Sequence, residues 1–229
     1  MMYFMRYPGG KEKCYQRLIN LMPPHQVYIE SHLGGGAVLR HKRPAEVSIG
    51  IDADVAVIAY WAKNFPGSCH LVNEDAASYL AQYAYTGAEL IYADPPYLAT
   101  VRRQSKIYRH EYSEQDHIEL LATLLQAQCM VMLSGYDNEL YNDTLTGWRK
   151  VQFFTMTHIG VRQEHVWMNF SEPQKLHDGS YLGNTFRERQ TIKRRQARLV
   201  KKFRQMDPIE RSEALEVLNR TFNTREEDV

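Results

Sequence analysis

The chain has 229 residues, of which 44% are hydrophobic and 24% charged, with a formal net charge of +1. That composition suits one sizeable globular domain with an appendage, and so small a total charge does not by itself announce a nucleic-acid partner. No run approaches the roughly 20 apolar residues that cross a bilayer, so no membrane contact is expected.

The leading MMYFMRYPGGKEK has neither a long apolar run nor a small-residue cleavage site, so no secretory leader is expected. YIES (28–31) is the first predicted strand and leads into LGGGAVLRH. VSIGIDAD (47–54) is the second, before VAVIAYWAKNF. CHLVNED (69–75) leads into AASYLAQYAY. ELIYADPPY (89–97) follows, then a basic polar loop and the helical SEQDHIELLATLLQAQ, where Ser113 reads as N-cap with Asp116 in the first turn. MVMLSGYD (130–137) precedes a short helical NELYNDTL. The alternating runs VQFFTMTHI and QEHVWMNF, with VRQ read as the turn between them, suggest an antiparallel hairpin. Short β-rich runs alternating with amphipathic helices signal an α/β fold with a mainly parallel sheet. Five parallel strands plus a C-terminal antiparallel hairpin is the outline of a Rossmann-like class I methyltransferase sheet. Residues 1–170 read as that domain.

After Phe170 the composition changes. SEPQKLHDGSYLGN reads as a polar linker. FRERQTIKRRQARLVKKFRQM is a basic helix, and DPIERSEALEVLNR a second one with Pro208 just inside its start. Residues 171–229 therefore form a linker and basic helical extension. Cys14, Cys69 and Cys129 are widely separated and match no metal spacing. They fit a reducing, cytoplasmic setting, and no metal site is expected.

Four segments carry chemistry. DPPY (Asp94, Pro95, Pro96, Tyr97) ends an apolar strand, where ligands bind in open α/β sheets. The nitrogen of an exocyclic aromatic amine is a poor nucleophile, its lone pair being delocalised into the ring. A carboxylate oxygen of Asp94 and the Pro95 carbonyl, placed against its hydrogens, favour the nucleophilic geometry. The two prolines stiffen the turn, and Tyr97 can stack on a base. LGGGA, with Leu33, Gly34 and Gly36, opens a helix after Glu30. Its N–H groups suit the amino-acid carboxylate of S-adenosylmethionine, and Glu30 suits the cationic side. Asp52 ends the next strand, where an acid can accept both hydroxyls of a ribose, and Asp75 could take the amino group of a cofactor adenine. RYPGGK could lay Tyr7 and Lys11 beside the cofactor. Taken singly, these also read as a rigid strand-end turn, a bare tight turn, two helix N-caps and a flexible leader. Taken together, they fall in order on one sheet edge.

As a set, YPGGK, IESHLGGGA and DPPY resemble the Dam-type, D12-class adenine-N6 DNA methyltransferases, and the likeness runs from about Arg6 to Phe170, including LSGYDNELY and EHVWMNF. The resemblance implies S-adenosylmethionine as cofactor, contacts to it from Tyr7 and Lys11, and matches for the family's two acids in Asp52 and Asp94. The family's glycine motif reads PFLGGG, whereas SHLGGG stands here, so His32 replaces an aromatic and becomes a wall of the pocket. The family's large recognition insert before DPPY is missing. Recognition then falls to the loop after DPPY, with Arg102, Arg103, Lys106 and Arg109 and with Tyr108 and Tyr112 to stack or wedge. The other candidate is the basic helix, with Arg194, Arg195, Arg198, Lys201 and Lys202. Such cations position phosphates without specifying sequence, so a short or relaxed recognition site on duplex DNA is expected.

The expected activity is methyl transfer to the N6 amine of an adenine flipped out of duplex DNA. Asp94→Ala is expected to abolish transfer and spare the fold. Alternatives are an RNA adenine-N6 enzyme, a catalytically silent DNA-binding module, and glutamine side-chain methylation, against which the basic segments speak. Cytosine C5 methylation needs a nucleophilic Cys, and none lies beside DPPY. Restriction-modification, phage evasion of host defence and epigenetic marking all fit. The oligomeric state is left open.

Overall fold

The structure is a computed structural model that describes residues 10–98, 100, 109–157 and 160–223. Its first compact unit spans Met1–Gly179 and its second Ser180–Val229. In chain order the first unit holds α1 (Tyr15–Ile19), β1 (Val27–Glu30), α2 (Ala37–His41), β2 (Val47–Ile51) and α3 (Val55–Asn64). Then come β3 (His70–Val72), α4 (Ala76–Gln82), β4 (Glu89–Ala93), α5 (Glu114–Gln126), β5 (Met130–Gly135), α6 (Glu139–Thr144), β6 (Arg149–Thr157) and β7 (Gly160–Met168). Among the described residues these strands make one seven-stranded sheet in the order β3-β2-β1-β4-β5-β7-β6. The strands from β1 to β5 pair in parallel, and β7 pairs antiparallel with both β5 and β6. This is the Rossmann-like sheet, five parallel strands with a C-terminal antiparallel pair, expected from the sequence.

The burial explains the pattern. β4 lies between β1 and β5 and is buried at all five positions, as a parallel strand covered on both faces must be. Ile29, Ile91, Val131 and Leu133 from β1, β4 and β5 meet Leu120, Leu121 and Leu124 of α5 in the main core. That helix starts on a full capping box: Ser113 accepts from the Asp116 N–H, and Asp116 accepts from the Ser113 N–H at 2.7 Å. This arrangement satisfies two of the orphan donors of the first turn.

Three local features differ from the sequence reading. Val161, Arg162 and Gln163 do not form the turn; they pair inside β7 with Met156, Thr155 and Phe154. The alternation simply runs on, so Arg162 shares a face with the buried Glu164. Asp54, not Asp52, caps α3 by accepting the Ala56 N–H, and Asp75 caps α4. Part of the polar stretch after Phe170 is docked. The His177 N–H donates to the Met22 carbonyl, Asp178 accepts the Arg43 N–H at 2.9 Å, and both side chains are buried. The compact unit accordingly continues to Gly179.

In the second unit, α7 spans Phe186–Gln205 and α8 spans Pro208–Asn223. Thr185 caps α7 by accepting the Glu188 N–H. No residue of α7 is buried. No described helix is long and apolar enough to cross a membrane.

Candidate active site

The strand order reverses between β1 and β4, since one connection runs outward through β2 and β3 and the other through β5. A crevice opens at such a switch point, at the carboxyl ends of the strands. Here a cleft of about 700 Å³, open solvent included, is lined by the residues that follow β1, β2 and β4.

The β1 side begins with Glu30. Its carboxylate accepts from the Tyr28 hydroxyl and the Leu39 N–H, both at 2.9 Å. Burial pushes its carboxyl up to about 8, against the pull of the Tyr28 hydroxyl, the Leu39 N–H and Lys42. The glycine loop follows. Gly34 and Gly36 have positive φ, at 43° and 56°, a region that side chains other than glycine's rarely adopt. Trp61 makes the constraint absolute at Gly36. Its indole N–H donates to the Gly34 carbonyl at 2.9 Å, and a Cβ on Gly36 would fall 2.0 Å from its Cζ2.

The β2 side contributes Asp52, whose two oxygens accept the Gly34 N–H at 2.8 Å and the Asp54 N–H at 2.9 Å. Burial raises its carboxyl while those N–H bonds oppose the rise. Asp52 thereby ties the glycine loop to the end of β2 and keeps unused lone pairs for a further donor.

At the end of β4, Lys11 Nζ donates to both oxygens of Asp94, at 2.6 and 2.7 Å. The Lys11 side chain is 7% exposed and that of Asp94 16%, the carboxylate keeping an opening to the cleft. Burial raises the Asp94 carboxyl, and Lys11 pulls it back. Burial alone would lower Lys11, but Asp94, Tyr92 and Glu164 outweigh it and hold the ammonium well above its ordinary range. Lys11 Nζ also lies 5.0 Å from the centre of the Tyr97 ring.

The cleft lining brings together Lys11, Glu30, His32, Leu33, Gly34, Gly36, Asp52, Asp94, Pro95 and Pro96, all singled out in the sequence. Asp75 does not line it; its helix neighbour Ala76 does. Tyr97 is also outside the lining, buried with its hydroxyl donating to Glu164 at 2.6 Å. His32 is a wall residue: its Nδ1 lies 3.0 Å from the Ser31 hydroxyl and its Nε2 3.0 Å from the Tyr112 hydroxyl. Burial lowers its imidazole to about 3, so it stays neutral at ordinary pH. Tyr7, Arg102, Arg103, Lys106 and Tyr108 lie outside the described residues.

Two contributions escaped the sequence reading. Tyr112, taken there as a residue that stacks or wedges against nucleic acid, lines the cleft beside His110, and its hydroxyl reaches Asp75 at 3.3 Å. Glu164 is a carboxylate on a strand face whose next members, Val166 and Met168, are wholly buried. A charge at an inward position of an apolar run was the signal available for it.

Of the other cations singled out, Arg109 is exposed and sits 3.5 Å from Asp54. Arg194, Arg195, Arg198, Lys201 and Lys202 are all exposed on α7. Their spacing, with Arg187, puts them on one side of the helix.

No family model and no curated protein matches the chain. Solved structures do. The protein yhhF of Escherichia coli, assigned as a methyltransferase, is 16% identical over 74% of this chain and 92% of its own, with a TM-score of 0.46. An rRNA methylase from Streptococcus thermophilus is 8% identical over 70% of this chain and 95% of its own, with a TM-score of 0.45. SMU.1697c of Streptococcus mutans, assigned as a methyltransferase and solved with SAH, is 9% identical over 67% of this chain and 93% of its own, with a TM-score of 0.46.

Proposed function

We propose that this chain transfers a methyl group from S-adenosylmethionine to the N6 amine of adenine in DNA. One observation carries the reading. A single cleft holds, side by side, a glycine loop with two flanking carboxylates and the Asp94-Pro95-Pro96 turn.

The residues fit the cofactor. The Gly34–Gly36 loop leaves room for a ligand carboxylate, and Asp52 retains acceptor capacity for a ribose diol beyond its two backbone bonds. Glu30 holds a buried carboxyl ready to ionise against an ammonium. When bound, S-adenosylmethionine supplies a methyl group activated by its sulfonium. The chain's own work is to bind, orient and exclude water. Asp94 and the Pro95 carbonyl accept the two hydrogens of the target amine, which localises the nitrogen lone pair toward the methyl. Lys11 must first release Asp94, and its long stem allows it to swing aside. Much of the acceleration comes from this positioning, where up to about 7–11 kcal/mol is available in favourable cases.

Residues 1–170 carry this chemistry, and 171–229 add the extension, whose first residues belong with the compact unit. The face of α7 bearing Arg187, Arg194, Arg198 and Lys201 contacts phosphates, and no base-reading insert stands between the glycine loop and Asp94, so specificity is short or relaxed. The test is transfer of labelled methyl to duplex DNA, single-stranded DNA and RNA in competition. Preference for adenine in duplex DNA supports the reading. Labelling confined to RNA favours the related RNA enzyme, and no labelling of any of the three refutes both.

A further inference from the structure

Glu164 sits in the middle of β7, opposite Phe153 on β6, on a face continued by Val166 and Met168. A carboxylate buried there forgoes hydration and needs a donor from the protein. It accepts instead from the hydroxyl of Tyr97, 67 residues away, at 2.6 Å and buried. That length lies at the short end of the range for a hydroxyl donating to an oxygen. The Tyr97 ring is held at a second point: Tyr136 meets it edge-on, with centroids 4.5 Å apart and planes 69° apart. The second torsion of a tyrosine is otherwise broad, so the hydroxyl anchor and the edge contact together select one ring plane. Lys11 Nζ, which grips Asp94, lies 5.0 Å from the ring centre.

We propose that Glu164 is a positioning residue: through the Tyr97 hydroxyl it fixes the Tyr97 ring behind the cleft, beside the Lys11–Asp94 pair that meets the target amine, a role that rests on the amine-methylation reading above. Glu164 touches neither donor nor acceptor of the methyl group. It acts on the rate by setting where Lys11 and Asp94 stand when the amine arrives.

The test uses the full chain with Tyr97→Phe, Glu164→Leu, Glu164→Gln and the Tyr97→Phe/Glu164→Leu pair. Tyr97→Phe keeps the ring and removes its hydroxyl, which donates to Glu164 and also acts on the Asp94 carboxyl. It should lower kcat by about tenfold or more, the scale of removing one buried hydrogen bond to a charged group, while SAH affinity and the KM for S-adenosylmethionine stay within about twofold. Glu164→Leu should cost as much. The pair should cost no more than the worse single variant, because both remove the same bond. Glu164→Gln, which keeps an acceptor oxygen, should recover part of the loss. An unchanged kcat in Tyr97→Phe, losses that multiply in the pair, or SAH affinity falling in step with kcat overturns the role. Should Glu164→Leu fail to fold, Tyr97→Phe decides alone. A crystal structure of Tyr97→Phe separates this role from the reading it rests on. A ring turned out of the plane it holds against Tyr136 supports the anchor even if no polynucleotide is methylated, and an unmoved ring refutes it even if one is.

Discussion

Lys11 and Asp94, 83 residues apart, form a two-pronged ion pair at the mouth of β4, with the ammonium donating to both carboxylate oxygens. The pair occupies the acceptor atoms that the proposed reaction requires. Removing one partner leaves the other charge with little water. The expectation that Asp94→Ala spares the fold therefore needs revision, since it strands a lysine whose side chain is 7% exposed. Asp94→Ala and Lys11→Met should each lose as much as about 3 kcal/mol of stability. The Lys11→Met/Asp94→Ala double variant should be more stable than either single one, because no buried charge then remains. Urea unfolding of the four proteins checks this, and additive losses would contradict it.

Glu30 should make ligand binding release protons. Its carboxyl stays protonated up to about 8 in the folded chain, against an ordinary value of 4.5. A bound ammonium favours the ionised form, so binding at pH 7 should release a proton, and the release should fade above pH 9 or so, about a unit past that value. Calorimetry of SAH in buffers of different ionisation enthalpy reads this directly. Stability follows the same linkage. A raised carboxyl contributes fully while both states are protonated, and the contribution drains as pH climbs from 4.5 toward 8. Glu30→Gln should flatten both dependences. Tyr28, Leu39, Lys42 and Asp94 also act on this carboxyl, so the slope of the wild type is read as a difference from the variant.

Gly36→Ala should damage both fold and binding. The new Cβ would lie 2.0 Å from Trp61 Cζ2 in a backbone region unfavourable to alanine. Overpacking of this kind costs typically about 1–3 kcal/mol, with about 1 kcal/mol more for the left-handed conformation. A fall in melting temperature with weakened SAH binding is expected. Unchanged melting would show that Trp61 can move freely.

The basic face of α7 should govern nucleic-acid affinity without touching the cofactor. Arg194→Glu, Arg198→Glu and Lys201→Glu together should weaken DNA binding. They should also reduce the slope of log affinity against log salt by about 3, because each phosphate neutralised by a cation adds roughly 0.9 to that slope. SAH affinity should not change. A salt slope equal to that of the wild type places the DNA-binding surface elsewhere.

The parallel sheet was legible because buried strands such as ELIYA and MVMLSG announce themselves as continuous apolar runs between helices. Most cleft residues were legible because they end or follow such a run; Lys11, ahead of the first strand, was legible from its glycine turn. What stayed hidden depends on long-range geometry. The bond from Tyr97 to Glu164 joins β4's end to an antiparallel strand, and neither residue signals the other. Tyr112 sits in a stretch whose cations suggested a nucleic-acid loop, yet its hydroxyl faces His32 and Asp75. The docking of His177 and Asp178 uses backbone atoms of Met22 and Arg43, which no side-chain pattern reveals. The short α1 lacks both an acidic first turn and a side-chain cap, so nothing local marked its start.

The most direct measurement is nucleoside analysis of adenine-containing duplex DNA after incubation with S-adenosylmethionine and either the wild-type chain or Asp94→Asn, which keeps the side chain's shape and removes its charge. N6-methyladenine is expected from the wild type, and almost none from Asp94→Asn despite retained SAH binding. Methyl groups found on another base, or undiminished product from Asp94→Asn, would contradict the proposed chemistry.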